Sequence, residues 1–287
     1  MTAKMTTTPN EERIQSTKGI KIFVRSWRPE TTPRGVVAIC HGVLSHSGYY
    51  MWVAEQLVAS GYAVYALDLR GRGESEGERY FVESIDDYVS DVAALVKLAK
   101  SREPGLPVFL LGHSAGGVTS CIYALDNQAE LAGLICESFA FRVSAPDFAL
   151  TALKGLEHVA PHVHVLKLPI DAFSRDPKVV DAMHNDPLLA HEVQPIGTVA
   201  EFARAGDRLT KEFSLITLPV FILHGTADKA TKPAGSQEFF DAAGSTDKTL
   251  KMYDGHFHDL LNDVGKEVVM SDITKWIDTR VDARAAM

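Results

Sequence analysis

Ser114 lies in a pentapeptide whose spacing is typical of a serine nucleophile. Residues 112–116 read Gly-His-Ser-Ala-Gly, the pattern G-x-S-x-G, and the apolar run 108–111 before them has the length of a buried strand. The pattern is that of a nucleophile elbow, a strand-to-helix turn that strains the backbone at the serine and requires small residues on both sides. Gly112 and Gly116 meet this requirement. Ser114 is therefore a candidate nucleophile; the alternative is a glycine-rich turn in which a serine only caps a helix.

A serine hydroxyl is a weak nucleophile at neutral pH and needs a general base that a carboxylate orients. When the serine lies on such an elbow, the acid and then the histidine follow it along the chain. Asp228 comes soon after the apolar run 220–223 and is the candidate acid, with an aspartate in a surface turn as the alternative. Only His256 and His258 follow Asp228. We assign His258 as the base and expect His256 to be a pocket or packing residue.

Acyl transfer also requires hydrogen-bond donors for the negative oxygen of the tetrahedral intermediate. One expected donor is the backbone N–H of Ala115, directly after the serine. The second is the backbone N–H of Val43, in the loop that follows an apolar run ending at position 40. Gly42 permits the close turn there, and His41 and His113 are expected beside the pocket as parts of these two loops.

Neither a metal nor a cofactor is expected. His256 and His258 alternate, but no third ligand with suitable spacing is nearby. Three more histidines are interpreted as surface or lid residues rather than ligands: His158, His162 and His164. The glycine-rich stretch 70–73 lacks the dinucleotide-binding and Walker A spacings, so we interpret it as a tight turn beside the active site.

The composition is that of an ordinary globular protein. The 287 residues are 46% hydrophobic and 23% charged, with a formal net charge of −8 and no cluster of Lys or Arg, which excludes a basic nucleic-acid-binding face. Cys40, Cys121 and Cys136 are widely spaced and odd in number, so buried thiols are expected rather than a disulfide framework. A polar N-terminal stretch and the lack of a long apolar run predict a cytoplasmic protein without a transmembrane segment.

The elements that must position these residues alternate between strands and helices. Strands are expected at 35–40, 62–67, 108–111, 131–136, 218–223 and 249–253, with an edge strand at 21–27. Helices are expected at 50–60, 85–100, 115–127, 235–243 and 266–280. This alternation predicts a parallel sheet with right-handed crossovers, in which ligands bind at the carboxyl ends of the strands. His41, Asp68 and Ser114 all follow such ends.

The strand rhythm is lost between residues 144 and 211, where prolines break several helix-like pieces. We interpret this segment as an inserted cap. The predicted organisation is a disordered leader at 1–13, a core formed by 14–143 and 212–287, and a cap at 144–211.

Several of these motifs, in this order, resemble the monoacylglycerol lipase, or lysophospholipase-like, branch of the α/β-hydrolases, within the serine aminopeptidase S33-type family. Residues 41–50 are similar to the family's H-G-x-G-E-H-x-x-R-Y, 68–77 to its D-x-R-G-H-G-x-S-x-G, and 112–117 to its G-H-S-M-G-G. Segments 174–177 and 185–188 resemble the family cap. The departures, which flank the expected oxyanion hole and entrance and bear on head-group preference, are Leu44 for Gly, Ser45 for Glu, Tyr49 for Arg, Arg72 for His and Ala115 for Met.

The resemblance implies an α/β-hydrolase fold, a mostly parallel doubly wound sheet with an inserted helical cap. It implies hydrolysis of carboxylic esters through an acyl-enzyme, without a cofactor, and makes fatty-acyl glycerol monoesters the first substrates to test. It also implies transient contact of the cap with a membrane surface. Five cap residues could face lipid or be buried over the pocket: Phe148, Leu150, Leu153, Leu156 and Val159.

Other functions on the same triad stay open at this point: a short- or medium-chain carboxylesterase, a thioesterase or a peptidase. Epoxide hydrolases and haloalkane dehalogenases are disfavoured because they need an aspartate where Ser114 stands. A non-catalytic binding protein is disfavoured because every part of a catalytic site is present.

Overall fold

The computed structural model describes residues 8–143 and 147–285. Its strands are β1 (Asn10–Gln15), β2 (Lys21–Trp27), β3 (Gly35–Cys40), β4 (Tyr62–Leu67), β5 (Val108–His113), β6 (Gly133–Glu137), β7 (His164–Leu166), β8 (Gln194–Pro195), β9 (Val220–Gly225) and β10 (Lys248–Tyr253). Its helices are α1 (Met51–Ala59), α2 (Ile85–Arg102), α3 (Ala115–Asn127), α4 (Asp147–Leu156), α5 (Pro177–Asn185), α6 (Ile196–Glu212), α7 (Pro233–Ala242) and α8 (Lys266–Ala285).

An eight-stranded sheet has the strand order β1-β2-β4-β3-β5-β6-β9-β10. The pairs β1–β2 and β2–β4 are antiparallel, and all other neighbours in this sheet are parallel. Parallel neighbours need crossover connections, which the helices between the strands provide. The predicted mostly parallel sheet with flanking helices is confirmed.

Both faces of the central strands are buried, which explains their unbroken apolar sequences. In β5, Val108 and Leu110 point into one apolar cluster together with residues of α2 and α3. Phe109 and Leu111 point into a second cluster with residues of α1 and α8. Because β3, β5 and β9 run parallel, the loops that follow them meet at the carboxyl edge of the sheet.

The N-terminal strand corrects two expectations. Residues 10–13, assigned to a disordered leader, lie in β1, and 21–27 is an interior strand between β1 and β4 instead of an edge. The sequence hides β1 because Ile14 is its one large apolar residue, and backbone hydrogen bonds to β2 hold it in place. Its charged, exposed side chains suit the edge position. Residues 1–7 lie outside the described residues.

The segment between β6 and β9 contains α4, α5, α6 and the paired strands β7 and β8. The predicted cap at 144–211 lies within this segment, and its division from the core stays a prediction. α6 packs against α3 of the central layers and against α4. Of the five apolar cap residues, Leu153 is half-buried, Leu156 and Val159 are exposed, and the side chains of Phe148 and Leu150 lie outside the described residues.

Two expectations from composition concern thiols and membrane spans. The three cysteines are buried free thiols, as predicted. In the described part of the chain, no helix combines the length and the apolar character needed to cross a bilayer.

Candidate active site

Ser114 lies at the junction of β5 and α3 in a strained backbone conformation. Its φ of 54° and ψ of −118° place a non-glycine residue at positive φ. The neighbouring glycines are sterically required, because a Cβ on Gly112 would lie 2.6 Å from the Gly116 carbonyl oxygen and one on Gly116 would lie 2.3 Å from the Cys40 carbonyl oxygen. The Ser114 N–H donates to the Glu137 carbonyl oxygen at 2.8 Å, which fixes the turn to β6.

The three residues predicted as a triad are brought together across the carboxyl edge of the sheet. His258 Nε2 lies 2.9 Å from Ser114 Oγ, and His258 Nδ1 lies 2.7 Å from Asp228 Oδ2. The His258 and Asp228 side chains are fully buried, and Ser114 is nearly so. The geometry lets Nδ1–H donate to the carboxylate while Nε2 accepts from the serine hydroxyl.

Several groups hold the Asp228 carboxylate ionised. Burial alone opposes the charge, but the interaction with His258 and hydrogen bonds from His224 and His258 outweigh it and keep the pKa of Asp228 well below its usual value. The N–H groups of Ala230 and Thr231 donate to Oδ1 at 2.7 and 2.9 Å. An ionised carboxylate only accepts hydrogen bonds, so the proton shared with His258 stays on Nδ1.

His224 contacts the candidate acid, although the sequence analysis assigned it no role. It is fully buried; its Nε2 lies 3.0 Å from Asp228 Oδ2, and its Nδ1 lies 2.7 Å from Ser236 Oγ. Its position four residues before the aspartate, at the end of a buried strand, was a signal that could have identified it.

The loop that carries Val43 packs directly against the elbow. A Cβ on Gly42 would lie 2.8 Å from Ser114 Cβ and 2.9 Å from the His113 carbonyl oxygen. This close approach places Val43 and Ala115 around one cavity together with Ser114. The two residues expected to supply oxyanion donors therefore flank the candidate nucleophile.

His41 supports this loop from behind. The Leu69 N–H donates to its Nε2 at 3.0 Å, so Nδ1 carries the proton and donates to the Gly42 carbonyl oxygen at 2.6 Å. Burial lowers the pKa of His41 to about 4, which keeps the ring neutral at physiological pH. His41 was expected beside the pocket but does not line it.

His113 and His256 also lie away from the cavity. Burial lowers the pKa of His113 well below its usual value, and its ring packs 4.9 Å from the ring of His258. His256 packs against the ring of Tyr253, with ring centroids 5.6 Å apart, as expected for a packing residue. His113 therefore packs against His258, whereas His256 packs against Tyr253, and neither ring lines the cavity.

Glu137 joins the loop that carries Ser114 to the loop that carries His258. The sequence did not point to this role of Glu137. Its main-chain oxygen accepts from Ser114, and its Oε1 accepts from the Leu261 N–H at 3.1 Å. An acidic residue ending an apolar strand was the available signal.

Glu137 forms a buried group with His113 and Asp259 whose ligand atoms lie within 4.8 Å of one another. Burial raises the pKa of Glu137 well above its usual value, which favours the neutral carboxyl and makes this group poorly suited to a cation.

A largely apolar cavity of about 480 Å³ opens onto Ser114 and His258. The segment between β6 and β9 contributes most of the apolar side chains of its walls, among them Phe141, Leu166, Leu168, Val199 and Phe202. Lys154 and Asp207, which also line it, form an ion pair with each other. The arrangement suits a substrate with an extended apolar part and a carbonyl group at the serine.

Comparisons with known proteins point to one family. The family model described as "Serine aminopeptidase, S33" matches residues 31–265. The monoacylglycerol lipase of Mycolicibacterium smegmatis is 35% identical over 277 residues, covering 95% of this chain and 98% of that protein. The human monoglyceride lipase is 33% identical over 267 residues, covering 91% and 88%. The crystal structure of Paleococcus ferrophilus monoacylglycerol lipase superposes with a TM-score of 0.82 and 29% identity, covering 90% of this chain and 99% of that one.

Proposed function

This chain belongs to the serine aminopeptidase S33 family of α/β-hydrolases, and from that premise we propose that it is a serine esterase whose substrates are monoacylglycerols. It is a carboxylic ester hydrolase of the monoacylglycerol lipase kind, without a cofactor in the reaction. The observation that carries the proposal is the position of His258, within hydrogen-bonding distance of both Ser114 Oγ and the Asp228 carboxylate.

In the proposed mechanism, the Ser114 oxygen attacks the ester carbonyl while His258 Nε2 takes the hydroxyl proton. The N–H groups of Val43 and Ala115 stabilise the negative oxygen of the tetrahedral intermediate. Collapse of this intermediate breaks the bond to the alcohol, which leaves with the proton from His258. Water then attacks the acyl-serine by the same route and releases the fatty acid.

The apolar cavity supports an acyl chain as the part of the substrate that is buried. A peptidase is the second candidate, because the family model is described as that of a serine aminopeptidase. An aminopeptidase must bind a free ammonium group, for which a carboxylate is the natural partner. Asp207 is the carboxylate that lines the cavity among the described residues, and Lys154 already pairs with it, so the ester is favoured.

We also propose that the cap contacts lipid transiently to collect its substrate. Four exposed apolar side chains form what we call the cap patch: Leu156, Val159, Val163 and Val165, of which Val159 is 84% exposed. The cap patch belongs to the same segment as Leu166 and Leu168, which line the cavity. A lipid surface would cover these apolar groups and place the acyl chain near the cavity. The cytoplasmic location stays a prediction.

Purified protein should hydrolyse a monoacylglycerol and p-nitrophenyl butyrate but not an aminoacyl p-nitroanilide. Ser114→Ala should abolish ester turnover and labelling by a fluorophosphonate. The matched control is Ser120→Ala, a buried serine further along α3, which should keep turnover within about threefold of wild type. Ester hydrolysis that persists in Ser114→Ala would refute the mechanism, and preferred cleavage of the amide would favour the peptidase.

A further inference from the structure

Residues 186–194, which we call the cap strap, run from α5 to β8 and lie against the loop that carries Val43. At one end, Asp186 Oδ2 accepts from the Tyr49 hydroxyl at 3.0 Å and lies 2.9 Å from His46 Nε2. The cap strap therefore contacts the loop that approaches the nucleophile. More than a hundred residues of chain separate the cap strap from this loop.

Near the other end of the strap, Glu192 holds the backbone of this loop. Its Oε1 accepts from the Leu44 N–H at 3.0 Å and from Gln194 Nε2 at 2.7 Å. The same oxygen forms a buried ion pair with Arg72. Arg72 is fixed in turn, because its other nitrogens donate to Gln194 Oε1 at 2.6 Å and to the Tyr88 hydroxyl at 3.2 Å.

The backbone of Leu44 has an unfavourable conformation that other contacts must stabilise. Its φ is 50°, in the left-handed region that glycine enters freely and leucine does not. Its side chain is buried in an apolar cluster with Phe173, Met183 and Leu189. Both the N–H and the side chain of Leu44 are therefore anchored by the segment between β6 and β9, and Val43 precedes it directly.

We propose that Glu192, held by Arg72, is a positioning residue that keeps the Val43–Leu44 peptide in place so that the Val43 N–H can meet the substrate oxyanion. This inference rests on the proposed function. Catalysis would then depend on the position of the cap strap, because loss of the Glu192 contact would let Leu44 leave its strained conformation. Arg72 and Leu44 stand where the family pattern quoted above has His and Gly, so the device belongs to this chain's own residues.

Two double variants isolate the hydrogen bond from Glu192 to Leu44. Arg72→Met with Glu192→Gln and Arg72→Met with Glu192→Leu both remove the buried charges together, which avoids leaving one ion unpaired. The glutamine oxygen can still accept the Leu44 N–H, whereas the leucine cannot. For p-nitrophenyl butyrate, we expect kcat of the leucine variant to be about tenfold or more below that of the glutamine variant, with KM within about twofold.

A transition-state analogue gives a readout that a purely structural role would not change. An alkyl trifluoromethyl ketone forms an adduct with Ser114 that carries an oxyanion, so its inhibition constant should rise by the same factor as kcat falls. The inhibition constant of the matching alkyl alcohol should be equal for both variants. Equal kcat and equal trifluoromethyl ketone inhibition in two folded variants would overturn the inference.

The control for general seating of the cap strap is Arg79→Gln. Arg79 Nη2 donates to the Leu188 carbonyl oxygen at 2.8 Å, but no hydrogen bond joins Arg79 to the Val43 loop in the described residues. Its kcat should stay within about twofold of wild type, and a loss as large as that of the leucine variant would contradict a specific role of Glu192. Failure of the proposed function looks different, because wild-type protein would then neither hydrolyse esters nor react with a fluorophosphonate at Ser114.

Discussion

The carboxylate of Asp228 decides which nitrogen of His258 carries the proton. As an ionised group it accepts from Nδ1–H, which leaves Nε2 free to accept from Ser114. The hydrogen bonds from Ala230 and Thr231 fix the carboxylate before any substrate arrives. The proposed base is therefore preorganised by groups that do not take part in proton transfer.

Replacing Asp228 by asparagine tests this control directly. The amide can donate toward Nδ1, which favours the His258 tautomer with its proton facing Ser114. We expect Asp228→Asn to lower kcat for p-nitrophenyl butyrate by about 10⁴-fold in steady-state assays, as in other Ser-His-Asp enzymes. Asp254→Asn, which changes an exposed turn carboxylate, should stay within about twofold of wild type. A loss below about tenfold for Asp228→Asn would contradict the assigned role.

The raised pKa of Asp259 leads us to expect that stability depends on pH. Burial raises its pKa to about 6, so the folded state binds this proton more tightly than the unfolded state. Its contribution to stability is therefore full at low pH and is lost as pH rises from about 3.9, the unfolded value, to about 6. We expect the free energy of unfolding of Asp259→Asn, measured with urea and taken relative to that of wild type, to rise by on the order of 2 kcal/mol between pH 4.5 and pH 7. A difference that does not change with pH would contradict this assignment, and Asp254→Asn is the control.

Among the elements, the junction of β5 and α3 positions both Ser114 and Ala115 at the candidate site. α3 begins at Ala115, which lines the cavity, so the N-terminal end of the helix, where the helix dipole favours negative charge, lies next to the cavity. The close packing of Gly116 against the end of β3 keeps the elbow and the Val43 loop together. Element packing thus brings the two proposed oxyanion donors to the same place.

A pair of glycine substitutions separates close packing from helix propensity. Gly116→Ala puts a Cβ within 2.4 Å of the His41 carbonyl oxygen, so the elbow must move away from β3. We expect it to lower the free energy of unfolding by about 2 kcal/mol or more and to slow fluorophosphonate labelling. Gly155→Ala in α4 meets nothing within 4 Å and should raise stability by about 0.5–1 kcal/mol. Equal unfolding midpoints would contradict the steric argument.

In the whole molecule, the segment between β6 and β9 contributes both to the cavity and to an exposed apolar surface. Several of its side chains line the cavity, Glu192 accepts a hydrogen bond from the Leu44 N–H, and the exposed residues of the cap patch also belong to it. Arg175 connects this segment to the loop after His258, because its N–H and Nε donate to Asp263 at 2.7 and 2.8 Å. The proposed lipid contact and the candidate site therefore depend on the same segment of the chain.

The cap patch predicts different effects on soluble and membrane-bound substrate. Val159→Glu adds a charge to the most exposed residue of the patch, so hydrolysis of monooleoylglycerol in phosphatidylcholine vesicles should fall about tenfold. Turnover of soluble p-nitrophenyl butyrate should be unchanged. Val268→Glu on α8 is the control, because Val268 is also an exposed valine, at 58%, but lies outside the cap. Equal vesicle rates for the two variants would contradict lipid contact through the cap.

The fold and the candidate residues were accessible from the sequence wherever the signal is local. The strand-turn-helix pattern around Ser114, the buried strands and the order of Asp228 and His258 all rest on neighbouring residues or on chain order. The family and the mostly parallel sheet are confirmed on this basis. β1 escaped detection because its strand is stabilised by backbone pairing with β2, which leaves little trace in side-chain pattern.

By itself, the sequence determined the type of sheet, the family and the three residues to consider as a triad, because short motifs encode turns, strand ends and reactive groups. Only the tertiary structure decided which distant groups support them: His224 on Asp228, Glu137 between two loops, and Glu192 on Leu44. These contacts join residues that no periodicity or spacing relates. They depend on how the segment between β6 and β9 lies over the sheet, and that is a property of packing rather than of local sequence.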